Sequence, residues 1–396
     1  MHSKKLLFFI VVLAACLTMV ASDIYAPSLP SIAFDLNTSV DEVQWSMAIY
    51  MLGVAISQLI YGPISEGVGR KWPMAAGLAI MLFGSLVCIW AVNIDMLIWG
   101  RFIQGIGAGA AATLWRSIFR DVYSGEELAQ KGSYLVIFIM FLVPAAPALG
   151  GYLQEYFGWR SSFVFMCAYT AITLLSVVFG FQETSQHHHL ERLRLPYIGK
   201  TFLHLLTSRI FMGITLCTFL SYGALFAWFV VGPVLLIKNL GLTPVEFGWI
   251  SFLGGGAAYA SAGVLNGKCV KRVGIPNMMR FGWSVMILAG VLMAVLTFLV
   301  GTTVWTVVAP ALLFYFGSTF LWPNAVATAF TPFGKIAGYT GCLYGFMQIC
   351  GASFMGGVMS YLPDENQLPL AAVIIFSSIA SWLIYEVAIP KNPSFK

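Results

Sequence analysis

Charge is what this 396-residue sequence has least of. Asp, Glu, Lys and Arg make up 9% of it, against roughly 25% in an ordinary soluble domain. So thin a supply of polar surface excludes one large water-soluble core. Histidine is scarce too, and none of the five lies inside a long apolar run, so no nucleophile–base set is placed at depth and an enzyme is not expected. The triplet His187–His189 has no fourth ligand nearby, and a metal site needs a closed ligand set. The seven cysteines show no paired spacing, which excludes a disulfide framework and leaves them as small apolar residues. The formal charge of +5 is not gathered into a basic tract, so nucleic acid is not an expected partner. After the first apolar run there is no small-residue cleavage site, which predicts a retained first span, not a removed leader.

What is present is apolar length. Hydrophobic residues are 59% of the chain and the mean hydropathy is +0.85. A span of ~30 Å of hydrocarbon needs about 20 apolar residues. Such runs recur at 6–30, 43–63, 73–93, 96–117, 132–153, 161–181, 210–236, 245–266, 278–299, 302–323, 337–360 and 368–389. The least apolar interruption, 182–209, divides them six and six. The expectation is an all-α integral membrane protein of twelve transmembrane helices in two six-helix bundles, 1–181 and 210–396, joined by a cytoplasmic linker. With both termini cytoplasmic, all of the 21 basic residues except Arg101, Arg160 and Lys238 fall on the cytoplasmic side, as the positive-inside bias requires.

Asp23 is the only carboxylate deep inside one of these runs. A charged aspartate at mid-membrane costs roughly 2.5–3.5 kcal/mol on insertion scales, so it needs a partner, a proton or a use. Arg101, in the fourth run, cannot shed its proton and needs acceptors. The depths of the two predict an ion pair. The second half has no comparable acid but many aromatics: Tyr222, Phe226, Trp228 and Phe229 in span 7, Trp249 and Tyr259 in span 8, and Tyr315 and Trp322 in span 10. Tyr344 and Gln348 follow in span 11; Tyr25, Tyr50, Trp115 and Phe138 are the first-half candidates. An aromatic-lined cavity facing one acid suits flat, amphipathic or cationic small molecules. About a third of these rings are expected to line it, the rest packing against lipid and neighbouring helices.

Short motifs sit between and within the runs. The loop after span 2 reads Gly62-Pro-Ile-Ser-Glu66-Gly-Val-Gly69-Arg70-Lys71, with glycines for a tight turn and charges at helix ends. Span 4 opens Arg101-Phe-Ile-Gln104-Gly105-Ile-Gly107 and closes Arg116-Ser-Ile-Phe-Arg120-Asp121-Val-Tyr123. Span 5 carries Pro144, Pro147, Gly150 and Gly151, residues that bend a membrane helix and admit a close neighbour. Span 1 contains Asp23-Ile-Tyr25-Ala-Pro27-Ser-Leu-Pro30, and span 10 ends with Pro323-Asn324.

Together these stretches resemble the major facilitator superfamily. The loop is similar to its G-x-L-A-D-R-x-G-R-K signature, with Glu66 where the pattern has Asp and Gly67 where it has Arg, which predicts a weakened or rewired charge network. Its counterpart in the second half, Gly267 to Gly274, keeps the glycine spacing but has Lys271 at the acidic position. Arg101, Gln104 and Gly105 match R-x-x-Q-G-x-G. Span 5 resembles the antiporter motif G-P-x-x-G-G, with Ala146 in place of the first glycine. The Asp23 segment resembles the D-x-Y-L-P-x-x-P signature of the Bcr/CflA drug:proton antiporters, and the Arg116–Tyr123 and Pro323-Asn324 segments fit that group. The resemblance implies the major facilitator fold in a bacterial inner membrane, working as a monomer among lipids. It implies export by alternating access, with inward proton flow through Asp23 and Arg101 in place of any cofactor. The cargo stays open between many drugs and one self-made metabolite such as a siderophore.

Overall fold

The structure, a computed structural model, describes residues 4–123, 125–184 and 195–389. Its first half comprises α1 (Lys4–Asp23), α2 (Leu29–Asp35), α3 (Val40–Val68), α4 (Lys71–Ile89), α5 (Ile94–Val122), α6 (Gly125–Phe157) and α7 (Arg160–Leu175). A connecting helix α8 (Leu195–Thr207) leads to α9 (Arg209–Pro233), α10 (Pro244–Trp249), α11 (Gly256–Val273) and α12 (Ile275–Val300). The chain ends with α13 (Val304–Thr319), α14 (Trp322–Phe330), α15 (Ala337–Met359) and α16 (Leu368–Ala388).

Nine stretches of the described residues are long and apolar enough to cross a membrane, from Leu6–Asp35 to Leu368–Ala388. With α5, α6 and the α10–α11 pair, in which charges and small residues dilute the apolar character, they account for the twelve expected spans. Lipid offers backbone amides no partner, so a helix that bonds internally is the form a spanning segment takes. The two halves repeat one feature at the same place. Gly69 (φ +95°) stops α3 before α4, and Gly274 (φ +83°) stops α11 before α12. Only glycine takes that conformation at little cost, so the spacing of these glycines records the repeat.

Spans 6 and 7 end in π-helical stretches, Ser176–Gly180 and Val234–Asn239, and three further spans are interrupted within their length. Span 1 stops at Asp23, turns through a short 3-10 segment (Ala26–Ser28) and resumes as α2 to Asp35, well beyond residue 30. Pro27 and Pro30 enforce this, since each lacks an amide hydrogen and crowds the preceding turn. Span 8 passes from α10 to α11 through a π-helical stretch, Ile250–Gly255. Span 10 breaks at Phe320 and Leu321, between α13 and α14. Within the linker lies α8, an amphipathic helix. Its Tyr197 and Phe202 rings lie 5.9 Å from that of Tyr339, and His204 lies 5.8 Å from Phe333. His187–His189 fall outside the described residues.

The halves meet along two lines. One runs the depth of the bundle between α3 and α15. Trp45 packs edge-on to Tyr361, Ser353 Oγ donates to Ala48 O at 2.8 Å, and Gly62 abuts Cys342. The other brings α6 against α10 at the end opposite the termini. A side chain at Gly151 would strike the Pro244 carbonyl, and one at Gly248 would strike the backbone of Ala148. Nearer mid-depth the contact is less tight but continues, where a Cβ on Gly256 would lie at ordinary contact distance, 3.9 Å, from Pro144.

Candidate functional site

Asp23 is the last residue of α1, at the break in span 1, and only 6% exposed. The free carbonyls of a helix end carry partial negative charge, so the break is a costly place for an ionised carboxylate. Across from it stand rings of the second half. Asp23 acts electrostatically on the phenols of Tyr222, Tyr259 and Tyr315, and on Tyr50 of its own half. These rings form one cluster: Tyr222 lies 6.0 Å from Trp322, and Tyr259 lies 5.5 Å from Trp322 and 5.3 Å from Tyr315. Tyr222 also reaches across to Met19 on α1, its hydroxyl 3.8 Å from the sulfur.

The break in span 10 places Trp322. Asn324 stabilises the opened backbone, donating to Phe320 O at 2.7 Å and to Asn266 Oδ1 at 2.9 Å. The Trp322 indole nitrogen is buried with no partner among the described residues. Tyr259 and Trp322, two of the many rings named in spans 7 to 11, are drawn into this cluster. The π-helical stretch just before Tyr259 and the proline just after Trp322 are the signals that point to them.

Arg101 is fully buried and does not form the expected ion pair with Asp23. Its Nη1 donates to Ala21 O at 3.1 Å and to Gln104 Oε1 at 2.6 Å. The cation rests on the Tyr50 ring at 4.0 Å and the Tyr25 ring at 4.9 Å, with Phe163 at 5.9 Å. Rings can hold a desolvated guanidinium because their faces are electron-rich. Nε and Nη2 are left without acceptors among the described residues. Gln104 passes the chain on, its amide donating to Ser85 Oγ at 2.9 Å. Gly105 makes the arrangement compact, since any side chain there would strike the Tyr50 carbonyl.

The shortlist therefore divides. Tyr25 is packed inside the first half, donor or acceptor to Ser46 at 2.7 Å and 5.3 Å from Phe163, so it belongs to the Arg101 nest and not to the space between the halves. Tyr50 belongs to the nest too, donating to Thr18 O at 2.9 Å. Trp228 packs on Gly232 of its own helix, and Phe138 lies beside Phe8, about four turns of helix from Asp23. Phe226 is buried against Gly356 at the line between the halves. Tyr222 and Tyr315 belong to the ring cluster on which Asp23 acts electrostatically. Tyr344 lies 5.7 Å from Phe330, and Gln348 is half-buried on the same helix, α15.

The conformational motifs gather at two places. In the loop after α3, Arg70 is a hub: Nη1 donates to Ser65 Oγ at 2.7 Å, Nη2 to Glu66 at 2.8 Å, and Nε to Asp121 at 3.1 Å. Burial alone would lower the pKa of the guanidinium, but Glu66 and Asp121 hold it above its ordinary value. The network expected to be weakened or rewired is present, with Glu66 serving as the acid. Glu183 joins it, accepting from the backbone amides of Arg70 at 2.8 Å and Lys71 at 3.1 Å, and so caps α4 from beyond the sixth span. No local pattern in the sequence reveals that cap. Arg116 is exposed, and its Nη1 donates to Ala112 O at 3.3 Å; the side chain of Arg120 lies outside the described residues. In α6, Pro144 and Pro147 lie inside the helix, Gly150 admits the Ile24 carbonyl just beyond Asp23, and Gly151 admits Pro244.

Among the described residues, this geometry brings a helix-end acid and a cluster of rings together between two repeated halves. The bicyclomycin resistance protein homolog of Haemophilus influenzae is 26% identical over 395 residues, covering 99% of both chains. Multidrug resistance protein D of Escherichia coli is 30% identical over 367 residues, covering 91% of this chain and 90% of its own. Multidrug resistance protein MdtL of Citrobacter koseri is 28% identical over 333 residues, covering 84% and 82%. In fold, the chain is similar to the xylose transporter XylE from E. coli, solved in a partially occluded inward open conformation, with a TM-score of 0.76, 14% identity and 99% of both chains covered. A family model described as Major Facilitator Superfamily matches residues 11–385, and the chain belongs to that superfamily of multi-pass membrane transporters, not to the enzymes.

Proposed function

We propose that this protein exports amphipathic or cationic small molecules in exchange for protons. The observation that carries the reading is Asp23, an acid at the break of span 1 facing the Tyr222, Tyr259 and Tyr315 phenols of the other half. The names of its relatives, multidrug and bicyclomycin resistance proteins, support drug efflux as the class of transport. The positive-inside bias supports cytoplasmic termini, and the relatives' sources support a bacterial inner membrane.

The cycle follows from what can be occluded cheaply. With the site open to the outside and empty, Asp23 takes up a proton, because a neutral carboxyl passes through an apolar occluded state at far less cost than a carboxylate. The halves then rock inward. A cationic or amphipathic cargo entering from the cytoplasm lays a flat face on Tyr222, Tyr259 and Trp322 and favours the ionised acid, so the proton leaves. Arg101 responds to the charge on Asp23. Its two unclaimed N–H groups, with Ala21 O as neighbour two residues away, are available to the carboxylate when it ionises. With one acid of this kind, one proton per cargo is the expected exchange.

Asp23→Asn tests the reading. In proteoliposomes with an imposed pH gradient, the variant should fold and bind cargo but lose gradient-driven efflux. Undiminished efflux would sink Asp23 as the coupling group.

A further inference from the structure

A cavity lies between the halves toward the end that carries the termini, with a volume of about 310 Å³. Its walls come from α3 and α5 on one side and α14 and α15 on the other, so only a cargo moving between the halves would meet all of them. Among the described residues, the charged group in its wall is Arg116. The guanidinium lies 4.6 Å from the Trp115 ring and acts electrostatically on Tyr222 and Tyr344 across the gap. Gln58 and Thr113 add neutral polar groups.

We propose that this cavity is a subsite for an acidic group on the cargo, with Arg116 as its counter-charge. The proposal rests on the export reading above and narrows the cargo to include zwitterions, which purely cationic recognition would reject. Three features favour it. Arg116 sits 15 residues beyond Arg101 on α5, about 22 Å of helix rise. Its side chain turns back along the helix, bonded to Ala112 O, and so points toward the Asp23 end. Tyr222 stands within reach of both charges. Asp23 toward one end and Arg116 at the other thus offer opposite charges with rings between, an arrangement complementary to a flat molecule bearing an amine and a carboxylate. Arginine is suited to that task, since its planar fork meets a carboxylate with two parallel N–H groups.

A matched dye pair tests this on the purified full-length protein by fluorescence titration. Rhodamine 123 is a cationic methyl ester, and rhodamine 110 is its zwitterionic free acid. Arg116→Gln should weaken rhodamine 110 binding by about 10- to 100-fold, the worth of a charge-assisted hydrogen bond, while changing rhodamine 123 binding by less than about threefold. Arg116→Lys should restore part of the loss. Equal effects on both dyes, or none on the acid, would overturn the proposal. The unaltered protein gives a reading that needs no variant: it should bind the acid at least as tightly as the ester, and tenfold weaker binding of the acid would overturn the subsite while leaving the export reading intact. Binding of neither dye would count against the export reading itself and remove the proposal with it.

Discussion

Replacing Arg101 by methionine separates packing from purpose in the buried nest. The cation is fully enclosed and makes two charge-assisted hydrogen bonds, to Ala21 O and Gln104 Oε1, each worth roughly 1.5–3 kcal/mol. It also lies on the Tyr50 and Tyr25 rings, worth roughly 0.5–2 kcal/mol at a desolvated site. Against these stand the desolvation of the charge, several kcal/mol, and two buried donors, Nε and Nη2, without acceptors. The two sides nearly cancel, and methionine fills the same volume without a charge. The expected change in stability is within about 2 kcal/mol in either direction, read as a modest shift in melting temperature of the detergent-solubilised protein. Efflux driven by a pH gradient should nonetheless be lost, because nothing remains to sense the charge on Asp23. Loss of the folded state would show that Arg101 is held for packing alone. A folded variant with full gradient-driven efflux would remove it from coupling altogether.

Two further outcomes follow from backbone contacts. Glu183→Ala should destabilise the first half by about 1 kcal/mol, measured by thermal unfolding, because the Arg70 and Lys71 amides at the start of α4 lose their cap; an unchanged melting temperature would refute that role. Gly151→Leu should force α6 away from Pro244, a backbone neighbour that cannot rotate aside, at a cost of about 1–3 kcal/mol to the closed arrangement. Spin labels at positions 155 and 245 should then report longer distances, and an unshifted distribution would refute the close-packing argument.

The spans were legible because hydrocarbon imposes one rule on every residue that crosses it, and Asp23 stood out because it breaks that rule. The glycine turns were legible as well, Gly69 and Gly274 being required by their backbone angles. What holds Arg101 was not. An ion pair can be guessed from two charges at one depth, whereas a cation on the faces of Tyr25 and Tyr50 depends on how closely α3 and α5 approach, and no spacing announces it. The same limit hid Glu183, which reaches Arg70 across 113 positions of chain. Aromatic abundance obscured the cavity wall. In so apolar a chain Trp228 and Trp322 read alike, and only the broken backbone beside Trp322 marks one of them as facing the site.

The α3–α15 line ties the halves from Trp45–Tyr361 at one end to Gly62–Cys342 at the other, whereas α6 and α10 grip only near the end opposite the termini. A transporter joined in this way opens like a book along one spine. The hinge of any such opening lies along α3 and α15, where Ser353 and Ala48 already share a hydrogen bond.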